Sequence, residues 1–170
     1  PHVWLDPENA KIEMEAIRDA LCAADPENST VFQSNYEKYA AELDALDAEF
    51  REKLAPLPNR TIVVAHEAFG YLCDAYGLTQ VGIEGLSPDS EPDPGRMAEV
   101  IDFVREHSIS TIFFEELVSP KVAEAIASET GAQAKMLSPL EGLSDEQAAA
   151  GADYFSVMHD NLAALMEALN

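Results

Sequence analysis

The chain has 170 residues, 47% of them apolar, which is enough for one domain with a buried core. Its 10 Lys and Arg against 32 Asp and Glu leave a formal charge of −22. That charge repels phosphate backbones and anionic lipid surfaces, so nucleic acid is excluded as a partner.

Two cysteines, Cys22 and Cys73, lack the paired spacing of a thiolate zinc site, and whether they are bonded to each other is left open. No apolar run approaches the roughly 18 residues of a membrane span. The chain opens at Pro1 with neither an initiator Met nor a signal peptide, and it reads as a processed or truncated piece.

Asp6 as a cap and Pro7 at the first helical position predict a helix over 7–24, with Met14, Ile17 and Leu21 on one side. Asp25-Pro26-Glu27-Asn28 breaks it. The longest element follows over 27–55, because Phe32, Tyr36, Tyr39, Leu43, Leu46, Phe50 and Leu54 recur in steps of four and three. Pro56, Pro58 and Asn59 end that helix, so 1–58 reads as a helical arm and 59–170 as an α/β body.

In the body, apolar runs alternate with helical patterns. Strands are expected over 61–65, 80–83, 111–114 and 134–137, and helices over 67–76, about 93–107 and 120–130, with a last one from about 152. Four strand-helix units imply a four-stranded parallel sheet flanked by helices. Phe155, Met158, Leu162, Leu165 and Leu169 give the last helix a core face.

Open α/β sheets bind ligands beyond the carboxyl ends of their strands, and His66 stands there, after Thr61-Ile62-Val63-Val64-Ala65. The same rim collects Ile83-Glu84-Gly85, Glu115 with Glu116, and Ser138 or Glu141. His2 lies far away in sequence and converges with His66 only through the fold. Imidazole and carboxylate from separate strand ends suit a divalent transition metal, and the histidines tilt the choice to zinc. Taken singly, His66 is more readily a hydrogen-bonded strand-end histidine and His2 more readily a turn residue near Trp4; the pair is what points to a metal.

Alternation along 112–114 aims Glu115 and Glu116 to opposite sides, one to solvent and one toward orienting a ligand. His107 suits a helix carboxyl end, and His159 reads as a packing or surface residue of the last helix, so neither is taken as a ligand. The acidic, proline-rich stretch 85–94 is a rim loop that shapes the site. Enzyme templates are absent: His66-Glu67 is followed by Gly70 where H-E-x-x-H needs its second histidine, and no G-x-G-x-x-G, Walker or G-x-S-x-G pattern occurs. A zinc hydrolase is therefore the weakest reading, and the chain is read as no enzyme.

These residues, in this order, resemble the metal-specific solute-binding proteins of bacterial ABC importers, cluster A-I, and within them the zinc branch. The matching segments are Pro1-His2-Val3-Trp4-Leu5-Asp6-Pro7, Val64-Ala65-His66-Glu67-Ala68-Phe69-Gly70-Tyr71, Leu86-Ser87-Pro88-Asp89-Ser90-Glu91-Pro92, Phe113-Phe114-Glu115-Glu116 with Ser119-Pro120-Lys121, and Asp153-Tyr154-Phe155-Ser156-Val157-Met158-His159-Asp160-Asn161-Leu162.

The resemblance implies an extracytoplasmic receptor, lipid-anchored in its full-length form. Such a receptor captures Zn(II) between two α/β lobes joined by a long helix and passes it to an ABC permease. This chain is similar to the carboxyl-terminal lobe with the connecting helices. By the same likeness His2 and His66 take the second and third ligand positions, while manganese relatives carry a carboxylate in place of His66. The lobe that holds the first histidine is missing.

The fourth ligand of the family is often an aspartate near the last strand. Here that stretch reads Leu137-Ser138-Pro139-Leu140-Glu141-Gly142, leaving Ser138, Glu141 or water, with Glu67 or Glu115 as support behind a ligand. An apolar seam left bare on the long helix predicts a homodimer. The rival readings are a manganese or iron receptor of the same family, and a cell-surface adhesion or interaction module.

Overall fold

The computed structural model describes residues 2–83, 94–117 and 119–170. A short 3-10 turn, Val3–Leu5, leads into helix α1, Pro7–Ala24. Asp6 caps α1 by accepting from the Glu8 backbone N–H at 3.0 Å, and Pro7 starts it with a φ already suited to helix. After the turn Pro26–Asn28, helix α2 runs Ser29–Leu54.

The apolar seam expected along α2 divides. Ala40, Leu43, Leu46, Phe50 and Leu54 are buried, whereas Phe32 and Tyr36 are half-buried and Tyr39 is exposed. Phe32, Tyr36 and Tyr39 line a groove with Met14, Ile17, Arg18 and Leu21 of α1, and a two-helix layer cannot enclose a seam on both sides. Arg18 lies over the Tyr36 ring, 4.4 Å from its centre.

The strands and helices then alternate: β1 Thr61–Val64, α3 Gly70–Tyr76, β2 Thr79–Gly82, α4 Pro94–Glu106, β3 Thr111–Phe114, α5 Lys121–Thr130 and β4 Gln133–Met136. Two helices close the chain, α6 Asp145–Ala149 and α7 Tyr154–Leu169. The four-stranded sheet has the order β2-β1-β3-β4 and every pairing is parallel. That is the architecture expected from the alternation. α3 begins later than the expected 67, because residues 67–69 serve a turn: the Ala68 N–H donates to the His66 carbonyl at 2.9 Å, and the Phe69 N–H donates to Gln80 Oε1 at 2.9 Å.

Alternating side chains on the strands feed two cores. Ile62, Val64 and Phe113 pack with Phe50, Leu54, Phe69, Leu72 and the α7 residues Met158, Leu162 and Leu165. Val63 and Ile112 pack with Val100 and Val104 of α4 and Ile126 of α5. A sheet covered on both faces needs strands apolar on both faces, which is why these runs are continuous. Leu5, Leu46, Phe50 and Leu54 share the first core with the strands and α7.

α6 was absent from the sequence expectations, although its signal is present. Ser144 and Gln147 form a reciprocal capping box, the Gln147 N–H reaching Ser144 Oγ at 3.2 Å and the Ser144 N–H reaching Gln147 Oε1 at 2.9 Å. Both cysteines are free thiols. No helix among the described residues is long and apolar enough to cross a membrane.

Candidate metal centre

β1 and β3 are neighbours from which the chain winds outward in both directions, so the crevice beyond their carboxyl ends is the topological switch point of the sheet. His66 lies just past β1 and Glu115 just past β3. The Ala65 N–H, donating to the Phe113 carbonyl at 2.9 Å, keeps the two strand ends in step. His66 Nδ1 donates to Glu115 Oε1, with the side chains only 1% and 2% exposed. This bond commits Nδ1 as the protonated nitrogen and leaves Nε2 as the basic one, the arrangement in which an imidazole ligates a metal.

His2 reaches the same crevice from the other end of the chain. Its ring is 5.4 Å from that of His66 and 5.4 Å from that of Trp4, and the residue is buried. Its Nε2 hydrogen-bonds Glu141 Oε1 at 2.5 Å, while among the described residues Nδ1 has no hydrogen-bond partner. One donor atom each from His2, His66 and Glu141 lie within 4.8 Å of one another. Two imidazoles and one carboxylate are a donor set that zinc accepts in tetrahedral coordination.

The backbone beneath two of these residues is unusual. His2 has φ 60° and Leu140, next to Glu141, has φ 55°. Left-handed conformations at residues other than glycine cost roughly 1–3 kcal/mol each and persist where the surroundings overdetermine them.

Here the surroundings are specific. The Trp4 indole N–H donates to the Pro139 carbonyl at 2.9 Å, and the Tyr154 hydroxyl donates to the Trp4 carbonyl at 2.7 Å. Burial, then the charges of Asp6 and Glu13, push the Tyr154 phenol well above its ordinary pKa, so it remains a donor at every physiological pH. Asn161 of α7 accepts from the Ser138 N–H and donates to the Ser138 carbonyl, both at 2.8 Å.

Glu67 lies against Gly82 at the end of β2, where an added Cβ would come within 2.4 Å of its Cγ, and it stands outside the three converging residues. Ser138 is occupied, its hydroxyl donating to Glu116 and accepting from the Leu140 N–H at 3.1 Å. Glu116 is therefore half-buried against Ser138 and does not face solvent, because the chain leaves strand geometry after Phe114 and the alternation stops there.

His107 stacks on Phe103 with ring centres 4.0 Å apart, and its Nδ1 donates to the Phe103 carbonyl at 3.0 Å. His159 donates from Nδ1 to the Phe155 carbonyl at 2.7 Å and contacts Glu49 at 3.1 Å. Neither is among the three converging residues. Glu84 and the rim loop expected over 85–94 lie outside the described residues up to 93. Sequence reasoning passed over Trp4, Tyr154 and Asn161 as site residues. Asn161 did leave a local signal, a lone amide on the otherwise apolar face of the last helix.

The family model described as zinc-uptake complex component A, periplasmic, matches residues 1–168. The high-affinity zinc uptake system protein ZnuA of Bacillus subtilis is 41% identical over 169 residues, which are 99% of this chain and 53% of that protein. Among solved structures, the Zn(II)-bound ZnuA-like domain of Streptococcus pneumoniae AdcA superposes with a TM-score of 0.87 at 41% identity, covering 99% of this chain and 63% of that one. The laminin-binding protein Lbp of Streptococcus pyogenes superposes with a TM-score of 0.91 at 38% identity, covering 100% and 65%. The chain spans 32% to 53% of the length of the curated relatives it matches.

Proposed function

Because the chain belongs to the family of periplasmic zinc-uptake component A, we propose that it is the metal-holding part of an extracytoplasmic, lipid-anchored receptor that captures Zn(II) and hands it to an ABC permease. The observation that carries this reading is the convergence of His2, His66 and Glu141 donor atoms within 4.8 Å, with His66 braced from behind by buried Glu115. His66 binds through Nε2. Glu141 supplies the carboxylate, and Glu115 and Glu67 stay behind the ligands.

Tetrahedral zinc bonds of about 2.0–2.2 Å set ligand atoms roughly 3.4 Å apart, so loading separates His2 from Glu141 and replaces their hydrogen bond by two metal bonds. Three donors leave one position for a ligand from the remainder of the receptor. Residues 1–58 act as arm and connector, and 59–170 as the lobe that bears His66 and Glu141. Release then follows from movement of one lobe against the other on docking.

Calorimetric titration of this chain with zinc, beside His66→Ala, tests the assignment. Affinity is expected to fall steeply in the variant, and unchanged affinity overturns it. Competition between zinc and manganese or iron tests the metal, and the two imidazoles favour zinc. Recognition of an extracellular protein is a second reading, favoured by the likeness to the laminin-binding Lbp. Binding of laminin that persists after metal is chelated would support it.

The chain is also proposed to self-associate through the exposed Ile12, Ile17, Leu21 and Val31 of α1 and α2. Light scattering that reports a monomer at all concentrations would refute this.

A further inference from the structure

The segments that carry His2 and Glu141 belong to no strand or helix. Each contains a left-handed residue that local sequence preference does not supply, His2 itself in one and Leu140 in the other. Their arrangement is imposed from elsewhere, and the hydrogen bonds lead back to one element, α7.

Asn161 is buried on the face of α7 that also carries Met158, Leu162 and Leu165, where a polar amide is costly unless satisfied. It spends both ends on one residue, accepting from the Ser138 N–H and donating to the Ser138 carbonyl, and so pins the loop that carries Glu141. Tyr154, the first residue of α7, holds the Trp4 carbonyl, and the Trp4 indole N–H in turn holds the Pro139 carbonyl. The ring of Trp4 also stands edge-on to His2. The two irregular segments are thus tied both to each other and to the same helix.

We infer that α7 sets the geometry of the metal site, with Asn161, Tyr154 and Trp4 as positioning residues that hold His2 and Glu141 at coordinating distance without touching the ion. This rests on the reading that His2, His66 and Glu141 bind metal. His66 stands outside the device, being held by Glu115 at the sheet itself.

Trp4→Phe keeps an aromatic ring and removes the indole N–H, Asn161→Leu keeps the volume and removes both amide bonds, and Tyr154→Phe removes one hydroxyl. Each variant is titrated with Co(II) and followed by its visible d–d absorption, which reports coordination geometry. Zinc affinity by competition and the metal-free unfolding midpoint are measured in parallel. The native chain is expected to give a Co(II) spectrum that His66→Ala abolishes. If it does not, the site reading itself fails.

Given that spectrum, folded Trp4→Phe and Asn161→Leu are expected to shift it and to bind zinc about tenfold to a hundredfold more weakly, as loss of an outer partner of a metal ligand does. Variants with a native spectrum and native zinc affinity, even with a lowered unfolding midpoint, would overturn the positioning role. Should Asn161→Leu fail to fold, Tyr154→Phe decides the question by the same two readouts.

Discussion

His66 and Glu115 stand 49 positions apart, each just past the end of its own strand, and β1 and β3 pair so that the imidazole N–H meets the carboxylate in a contact sealed from solvent. A buried carboxylate is costly in such a place unless it is hydrogen-bonded, and the imidazole N–H provides that bond. In return the carboxylate selects the tautomer of His66 that leaves Nε2 basic.

Glu115→Gln should therefore weaken zinc binding by about tenfold to a hundredfold while the fold survives, because an amide fills the same space without the charge that fixes the tautomer. Metal competition, with circular dichroism as the fold control, measures this. Native affinity in a folded Glu115→Gln chain would remove Glu115 from the site.

Glu141 is the exposed member of the cluster, its side chain 39% accessible beside a nearly buried His2. Glu141→Ala is expected to cost no more than about 1–3 kcal/mol of stability, the penalty of leaving Nε2 of the buried His2 without its partner. It should nevertheless lower zinc affinity by an order of magnitude or more. Titration and thermal unfolding on the same preparation separate the two effects, and equal affinity would count against Glu141 as a ligand.

The two thiols should differ in chemistry. Burial, then the nearby Asp74 charge, pushes Cys73 up to about 12 from an ordinary value of 9.0. In the native chain iodoacetamide is expected to label Cys22 and spare Cys73, and to label both in denaturant, as mass spectrometry would report. The same shift gives a pH dependence. The folded state holds the Cys73 proton that the unfolded chain gives up, so this contribution to stability is complete below pH 9 and is lost as pH rises toward about 12. A Cys73→Ala chain should show a flatter alkaline limb in urea titrations.

Phe50 tests whether the long helix is an appendage or part of the body. It is fully buried and packs in the core that contains β1, β3 and α7. Phe50→Ala should cost about 3–5 kcal/mol, whereas Val31→Ala on the exposed first turns of the same helix should cost little. Similar urea midpoints for the two variants would mean that α2 unfolds separately from the sheet.

Much of this was legible in the residues. Asp6-Pro7 announces the start of α1, and Thr111-Ile112-Phe113-Phe114 marks β3 to the residue. Both signals are local: a cap, a fixed φ, a run of strand-forming side chains. His66 was legible as a candidate because it ends a buried strand on the rim where open α/β sheets bind ligands, and because a second histidine, His2, could join it there. The role of Glu116 was not legible, since alternation holds only while the backbone stays extended and β3 stops at Phe114.

Sequence by itself determined the alternation of strands and helices, the sheet class and the candidacy of His2 and His66, because periodicity and composition act over a few residues and leave their mark in the chain. Tertiary structure alone decided that β1 and β3 lie side by side, that Glu115 backs His66, and that Glu141 and not Ser138 meets His2 across 139 positions. Those choices rest on parallel pairing and on hydrogen bonds between distant segments, and no repeat or spacing in a linear chain encodes which buried amide will seize which loop.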